Sequence, residues 1–210
     1  MQILVVSATQ MEIAPFTEQV NDTDVLITGV GAPACMYALT KQLQRNHYDM
    51  VIQAGIAGTF RNAYAPGETV AVKQDLFADL GILEKDEFFT LFDRGFAAAD
   101  SSPYSKGVLR NDDAEHFSLP AVNAITINTV SDKFSQTEIY QKKYEPDIES
   151  MEGAAFHYVC ISENVRFLQL RSISNYVGER IKTNWKMKES VQSLNENLQR
   201  IVKELQSRES

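Results

Sequence analysis

Three short runs of aliphatic and β-branched residues, 3–7, 25–28 and 50–54, are separated by helical patterns, and this alternation constrains the fold more than any other feature. The runs are continuously apolar rather than alternating, as expected of strands buried on both faces in a mainly parallel sheet covered by helices. Thr9 is placed to cap a first helix carrying Met11, Ile13, Ala14 and Phe16. Pro33 suits an early position in a second helix over 33–45.

The middle of the chain is less regular. Residues 55–67 carry the Gly and Pro punctuation of a long loop, 68–74 alternate like a further strand, and 83–120 read as mostly loop with short strands. Strands are then expected over 121–128, 148–151 and 166–173, and helices over 132–144, 152–163 and 184–205. The last helix places Met187, Val191, Leu194, Leu198, Ile201, Val202 and Leu205 on one stripe. A length of 210 residues fits one domain over 1–210.

Composition narrows the function classes. With 44% hydrophobic and 23% charged residues the chain is an ordinary globular protein. A net charge of -8 argues against a nucleic-acid partner, because phosphate backbones are held by clustered Lys and Arg. The apolar run at the N-terminus is far shorter than the ~20 residues of a membrane span, and no basic stretch precedes it. No membrane partner is expected, and a cytoplasmic location is. Cys35 and Cys160 lie in apolar helical surroundings and read as buried thiols. His47, His116 and His157 lack metal-ligand spacing, so no metal is implied.

Gly29-Val30-Gly31-Ala32-Pro33-Ala34 matches the dinucleotide fingerprint with a final Ala, but it follows the second strand, and Asp49 opens the third strand instead of closing one. A tight strand-to-helix turn is the better reading, and no cofactor is implied. More informative are polar residues expected at the carboxyl ends of parallel strands, where open α/β sheets bind ligands. Glu12 follows the first strand, Gly55-Ile56-Ala57-Gly58 the third, Met151-Glu152 a late one and Asn175 the last.

The segments around these residues, Ala8 to Glu12, Gln53 to Gly58, Glu149 to Ala155 and Arg171 to Asn175, resemble in order the landmarks of the nucleoside phosphorylase/nucleosidase superfamily. The layout is similar to methylthioadenosine/S-adenosylhomocysteine nucleosidase, except that Asn175 stands where that family has Asp. Asn175 with the following Tyr176 to Arg180, and Phe77 to Gly81, resemble the futalosine hydrolase family. The resemblance implies a three-layer αβα sandwich around a curved mixed, mainly parallel sheet, a purine nucleoside as partner, and a homodimer or higher homo-oligomer. The implied reaction releases hypoxanthine from futalosine, within menaquinone biosynthesis.

Residue chemistry suits these roles. Cleaving a ribosyl C1′–N9 bond builds oxocarbenium character, so a carboxylate and a base-activated water are useful. The resemblance makes Glu12 the base, Glu152 the acceptor for ribose hydroxyls, Met151 an apolar surface under the sugar, and Ile56, Ala57 and Gly58 part of the substrate site. Asn175 addresses the purine: its NH₂ suits O6 or N7 and its carbonyl N1–H, although an amide also reads the N6/N7 edge of adenine. Gln53 and Ile56 stand where phosphorylases of the superfamily place phosphate-binding Arg and Ser, which favours water as nucleophile. For the 5′ substituent, Arg180 and Phe88, Phe89, Phe92 and Phe96 are candidates, with ordinary packing the simpler reading. Rival readings are a methylthioadenosine/S-adenosylhomocysteine or aminodeoxyfutalosine nucleosidase and, from another class, a non-catalytic nucleoside-binding protein.

Overall fold

The computed structural model describes the backbone of residues 1–19, 22–85, 87–130, 134–178, 183 and 185–207, and the side chains of all of these but 134–136. In chain order the elements are β1 (Ile3–Ser7), α1 (Gln10–Thr17), β2 (Asp24–Ile27), α2 (Ala32–Leu43), β3 (Met50–Thr59) and β4 (Thr69–Asp75). A short hairpin, β5 (Gly81–Glu84) and β6 (Glu87–Thr90), precedes β7 (Leu109–Arg110) and a 3-10 turn at Asp112–His116. Then come β8 (Ala121–Thr126), α3 (Phe134–Tyr144), β9 (Ile148–Ser150), α4 (Gly153–Ser162), β10 (Phe167–Tyr176) and α5 (Met187–Ser207).

Among the described residues the main sheet runs β2-β1-β3-β9-β8-β4-β10, with β7 on the edge of β4. β10 also pairs with β3, so the sheet curls until β3, β10, β4, β8 and β9 close into a ring. β1 pairs in parallel with β2 and β3, β3 with β10, and β8 with β4 and β9; the pairs β10–β4, β3–β9 and β4–β7 are antiparallel. The result is the mixed, largely parallel sheet flanked by helices that the strand patterns demand.

Period-two geometry sorts the core into layers. On β1, Ile3 and Val5 pack with Ile13 and Phe16 of α1 and with Leu194, Leu198 and Ile201 of α5. Leu4 and Val6, pointing the other way, pack with Cys35 and Leu39 of α2 and Phe156, Val159 and Cys160 of α4. Each such side chain contributes roughly 1.5–3 kcal/mol on burial. β2 departs from this scheme: among the described residues it pairs only with β1 and no further strand lies on that edge, and Val25 and Ile27 stay exposed.

Three of the boundaries that differ from the sequence reading bear on the cavity described below. β3 does not stop at residue 54 but continues through Gly55-Ile56-Ala57-Gly58 to Thr59, because β10 runs beside it in register and β9 pairs with its far end. Its glycines serve close approach instead of a turn. β10 likewise extends to Tyr176, so Asn175 lies within the strand and not after it. β9 ends at Ser150, leaving Met151 in the connection and Glu152 as the N-cap of α4. The first two residues of the helix expected over 132–144 lie outside the described residues, as does Asn184, the expected start of the last helix; that helix begins at Met187.

Candidate active site

A cavity of ≈ 280 Å³ opens where the carboxyl ends of β1, β3 and β10 meet β9 and the start of α4. It is lined by Glu12, Ile56, Ala57, Gly58, Met151, Glu152 and Asn175, so the four distant stretches of chain are brought to one place. Thr9, Ile127, Glu149, Ser174 and Trp185 also line it.

Glu12 is the N3 residue of α1, and local helix chemistry fixes it. Its Oε2 accepts from the Thr9 amide at 3.0 Å and the Thr9 hydroxyl at 2.8 Å, the return half of a capping arrangement. Its Oε1 accepts from the Ile56 amide at 3.1 Å. The side chain is 6% exposed, and these donors hold it at the cavity wall. Gly55 makes the approach feasible: a Cβ there would stand 2.3 Å from Arg171 Nη1 and 3.2 Å from Glu12 Oε1.

Glu152 is buried between two donors. Its Oε1 accepts from the Gly31 amide at 2.9 Å, and its Oε2 lies 3.6 Å from Arg171 Nη1. The Gly29-Val30-Gly31 motif finds its use here: Gly29 and Gly31 sit at φ 86° and 95°, and this left-handed turn aims a backbone amide at the carboxylate. Arg171, 1% exposed, also donates to Gln53 Oε1 at 2.8 Å, so it braces Glu152 from behind the cavity. This Arg171–Gln53–Glu152 group went unread in the sequence. Its signal was a cation inside a strand whose apolar residues are Phe167, Leu168, Leu170 and Ile173.

Asn175 follows a register shift between Ile173 and Asn175 in the β10–β3 pairing. Irregularities of this kind re-aim side chains beside functional sites. Ser174 donates its hydroxyl to Asn175 Oδ1 at 2.8 Å, and Asn175 Nδ2 donates to the Tyr176 carbonyl at 2.9 Å. Neither a helix cap nor a turn accounts for this residue.

Three carboxylates, Glu12, Glu149 and Glu152, therefore face one cavity, and among its described lining residues none is Lys or Arg. Such a wall attracts developing positive charge and repels phosphate. None of Phe88, Phe89, Phe92 and Phe96 lines it: Phe88 and Phe89 belong to the β5–β6 hairpin, Phe92 lines a separate small cavity with Tyr104 and Tyr144, and Phe96 is exposed. Arg180 lies outside the described residues. His47 and His116 are exposed beside Asp49 and Asp113, while His157 is buried with Nδ1 3.1 Å from the Leu109 carbonyl oxygen. No helix among the described residues is long and apolar enough to cross a membrane.

A curled mixed sheet with a carboxylate-lined cavity at its strand ends defines a nucleoside-phosphorylase-like α/β protein. The chain belongs to the Phosphorylase superfamily, whose family model matches residues 14–207. It is 30% identical over 166 residues to a futalosine hydrolase of Acidothermus cellulolyticus, covering 77% of this chain and 68% of that protein. It is 29% identical over 187 residues to a futalosine hydrolase of Thermus thermophilus, covering 85% and 80%. In fold it matches the structure of a futalosine hydrolase of Helicobacter pylori, with TM-score 0.79 over 97% of each chain at 16% identity.

Proposed function

We propose that this chain is a futalosine hydrolase, cleaving the N-glycosidic bond of futalosine with water to give hypoxanthine and dehypoxanthine futalosine in menaquinone biosynthesis. Homology to futalosine hydrolases supports the reaction, and the observation that carries the site is the meeting of Glu12, Glu152 and Asn175 at one cavity. In this reading Glu12 is the general base. Its Oε1 keeps a lone pair beyond the bond from Ile56, so it can take a proton from water as the oxygen attacks C1′.

The electron pair of the C1′–N9 bond passes to the purine, where the Asn175 amide stabilises it at O6 or N7. Glu152, held by Gly31 and Arg171, accepts from ribose hydroxyls, and Met151 packs against the sugar. Ile56, Ala57 and Gly58 form the wall beneath the nucleoside. Phosphate is disfavoured by the three carboxylates and by apolar Ile56. We further read residues 1–210 as one cytoplasmic domain that works as a homodimer or higher oligomer.

The test is Glu12→Gln, which keeps the side chain's shape and an oxygen that can accept from Thr9, while losing the bond from the Ile56 amide and removing the base. Its kcat should fall by roughly 10²–10⁴-fold with the fold intact. Equal turnover by the two proteins would remove this mechanism.

A further inference from the structure

Asn195 of α5 is 1% exposed, and both hydrogens of its amide and its oxygen are engaged. Its Nδ2 donates to the Glu12 carbonyl at 2.8 Å and to the Val191 carbonyl, one turn back in its own helix, at 2.6 Å. Its Oδ1 accepts from the Phe16 amide at 3.0 Å. The Glu12 carbonyl and the Phe16 amide are the groups that a regular α-helix pairs with each other, so Asn195 grips α1 at the rung that carries Glu12. α1 has little of its own to rely on: it is eight residues long, and Pro15 has no amide hydrogen to offer the Met11 carbonyl. α5 is anchored in turn beside Asn175. The Ser190 hydroxyl shares its hydrogen between the Ile173 and Lys186 carbonyls, each at 2.6 Å, and the Lys186 amide donates to the Ser174 carbonyl at 2.9 Å.

We infer that Asn195 is a positioning residue for the general base, fixing the Glu12 backbone from behind so that the carboxylate stays aimed at the cavity. The inference rests on reading Glu12 as the base of a hydrolase and adds what holds it in place. The two bonds from Thr9 cannot do this alone, because Thr9 caps α1 and moves with it. Ile13 and Phe16 pack α1 onto the core, but apolar contact has no direction and tolerates sliding. The bonds to Asn195 are directional, and they tie α1 to the helix that also holds the end of β10. Asn195 does not line the cavity among its described residues, so it acts through Glu12 and not on the substrate.

The experiment is a double-mutant cycle on futalosine turnover. Asn195→Ser keeps a hydroxyl for the Val191 carbonyl but reaches neither Glu12 nor Phe16. Its kcat should fall roughly tenfold to a hundredfold, with KM within about twofold of native. In a Glu12→Gln background the same change should alter kcat by less than about twofold, since no base is left to misplace. Equal losses in the two backgrounds, or native kcat in the single variant, would overturn the assignment. Asn195→Ala is a second variant with the same expectation. Leu205→Ala, a core loss about 15 Å farther along α5, should lower the melting temperature and keep kcat; a matching fall in kcat would make the effect a general one and overturn it. Amide hydrogen exchange without substrate gives a readout free of turnover. Ile56, whose amide donates to Glu12, should exchange roughly tenfold faster in Asn195→Ser while Val51 of the same strand is unchanged, and equal exchange at Ile56 would contradict the inference. Native protein that leaves futalosine intact while Ile56 responds in this way would instead count against the hydrolase reading.

Discussion

Arg171 and Glu152 form an ion pair in the interior, Nη1 to Oε2 at 3.6 Å, with both side chains almost wholly withdrawn from solvent. Two buried charges compensate each other only while both are present. Arg171→Met should therefore cost about 3–5 kcal/mol of stability, measured by denaturant unfolding, since Glu152 would be left buried without its counter-charge. Arg171→Lys should recover part of that loss but not all, because an ammonium cannot reach Gln53 and Glu152 with the same planar fork.

Gly55→Ala probes the packing between Glu12 and Arg171. A methyl group 2.3 Å from Arg171 Nη1 forces the guanidinium aside and crowds Glu12 Oε1. Overpacking of this kind costs roughly 1–3 kcal/mol. Activity should fall on the order of a hundredfold, since small misplacements of reacting groups carry that penalty. Steady-state kinetics beside a thermal melt would check it, and a variant with native kinetics would show that the close approach is unimportant.

Two buried groups give the stability profile opposite slopes. Burial raises Asp75 from its ordinary 3.8 to about 7, despite bonds from Thr126, Gln169 and the Leu76 amide. Its native form keeps a proton that the unfolded chain releases, so its contribution is present below about pH 4 and lost as pH rises to about 7. Burial lowers His157 from 6.5 to about 3. There the unfolded chain binds the extra proton, so stability is lost as pH falls from 6.5 towards 3. Asp75→Asn should leave stability rising with pH between 4 and 6.5, and His157→Gln should leave it falling. Urea midpoints across that window would show both slopes, and parallel profiles would contradict them.

How much of this was legible depended on whether local pattern or distant contact shaped each element. Continuous apolar runs placed β1 and the first half of β3 because those residues are buried whatever else happens. Gly55 to Gly58 read as a loop since glycine normally punctuates. Only the approach of Arg171, Glu12 and Asn175 from other elements explains glycines within a strand. Asn175 was visible as a polar residue at the end of an apolar run, but not its place inside β10. Glu149 looked like an ordinary residue before the Met151-Glu152 pair, and its place on the cavity wall appears only when β9 pairs with Gly58.

The most direct test of the whole account is turnover of futalosine by dialysed protein in phosphate-free buffer, with the released base identified by its ultraviolet spectrum. Hypoxanthine should appear at a rate that added phosphate does not raise. Protein that stays idle until phosphate is supplied, or that releases adenine from methylthioadenosine while leaving futalosine intact, would contradict it.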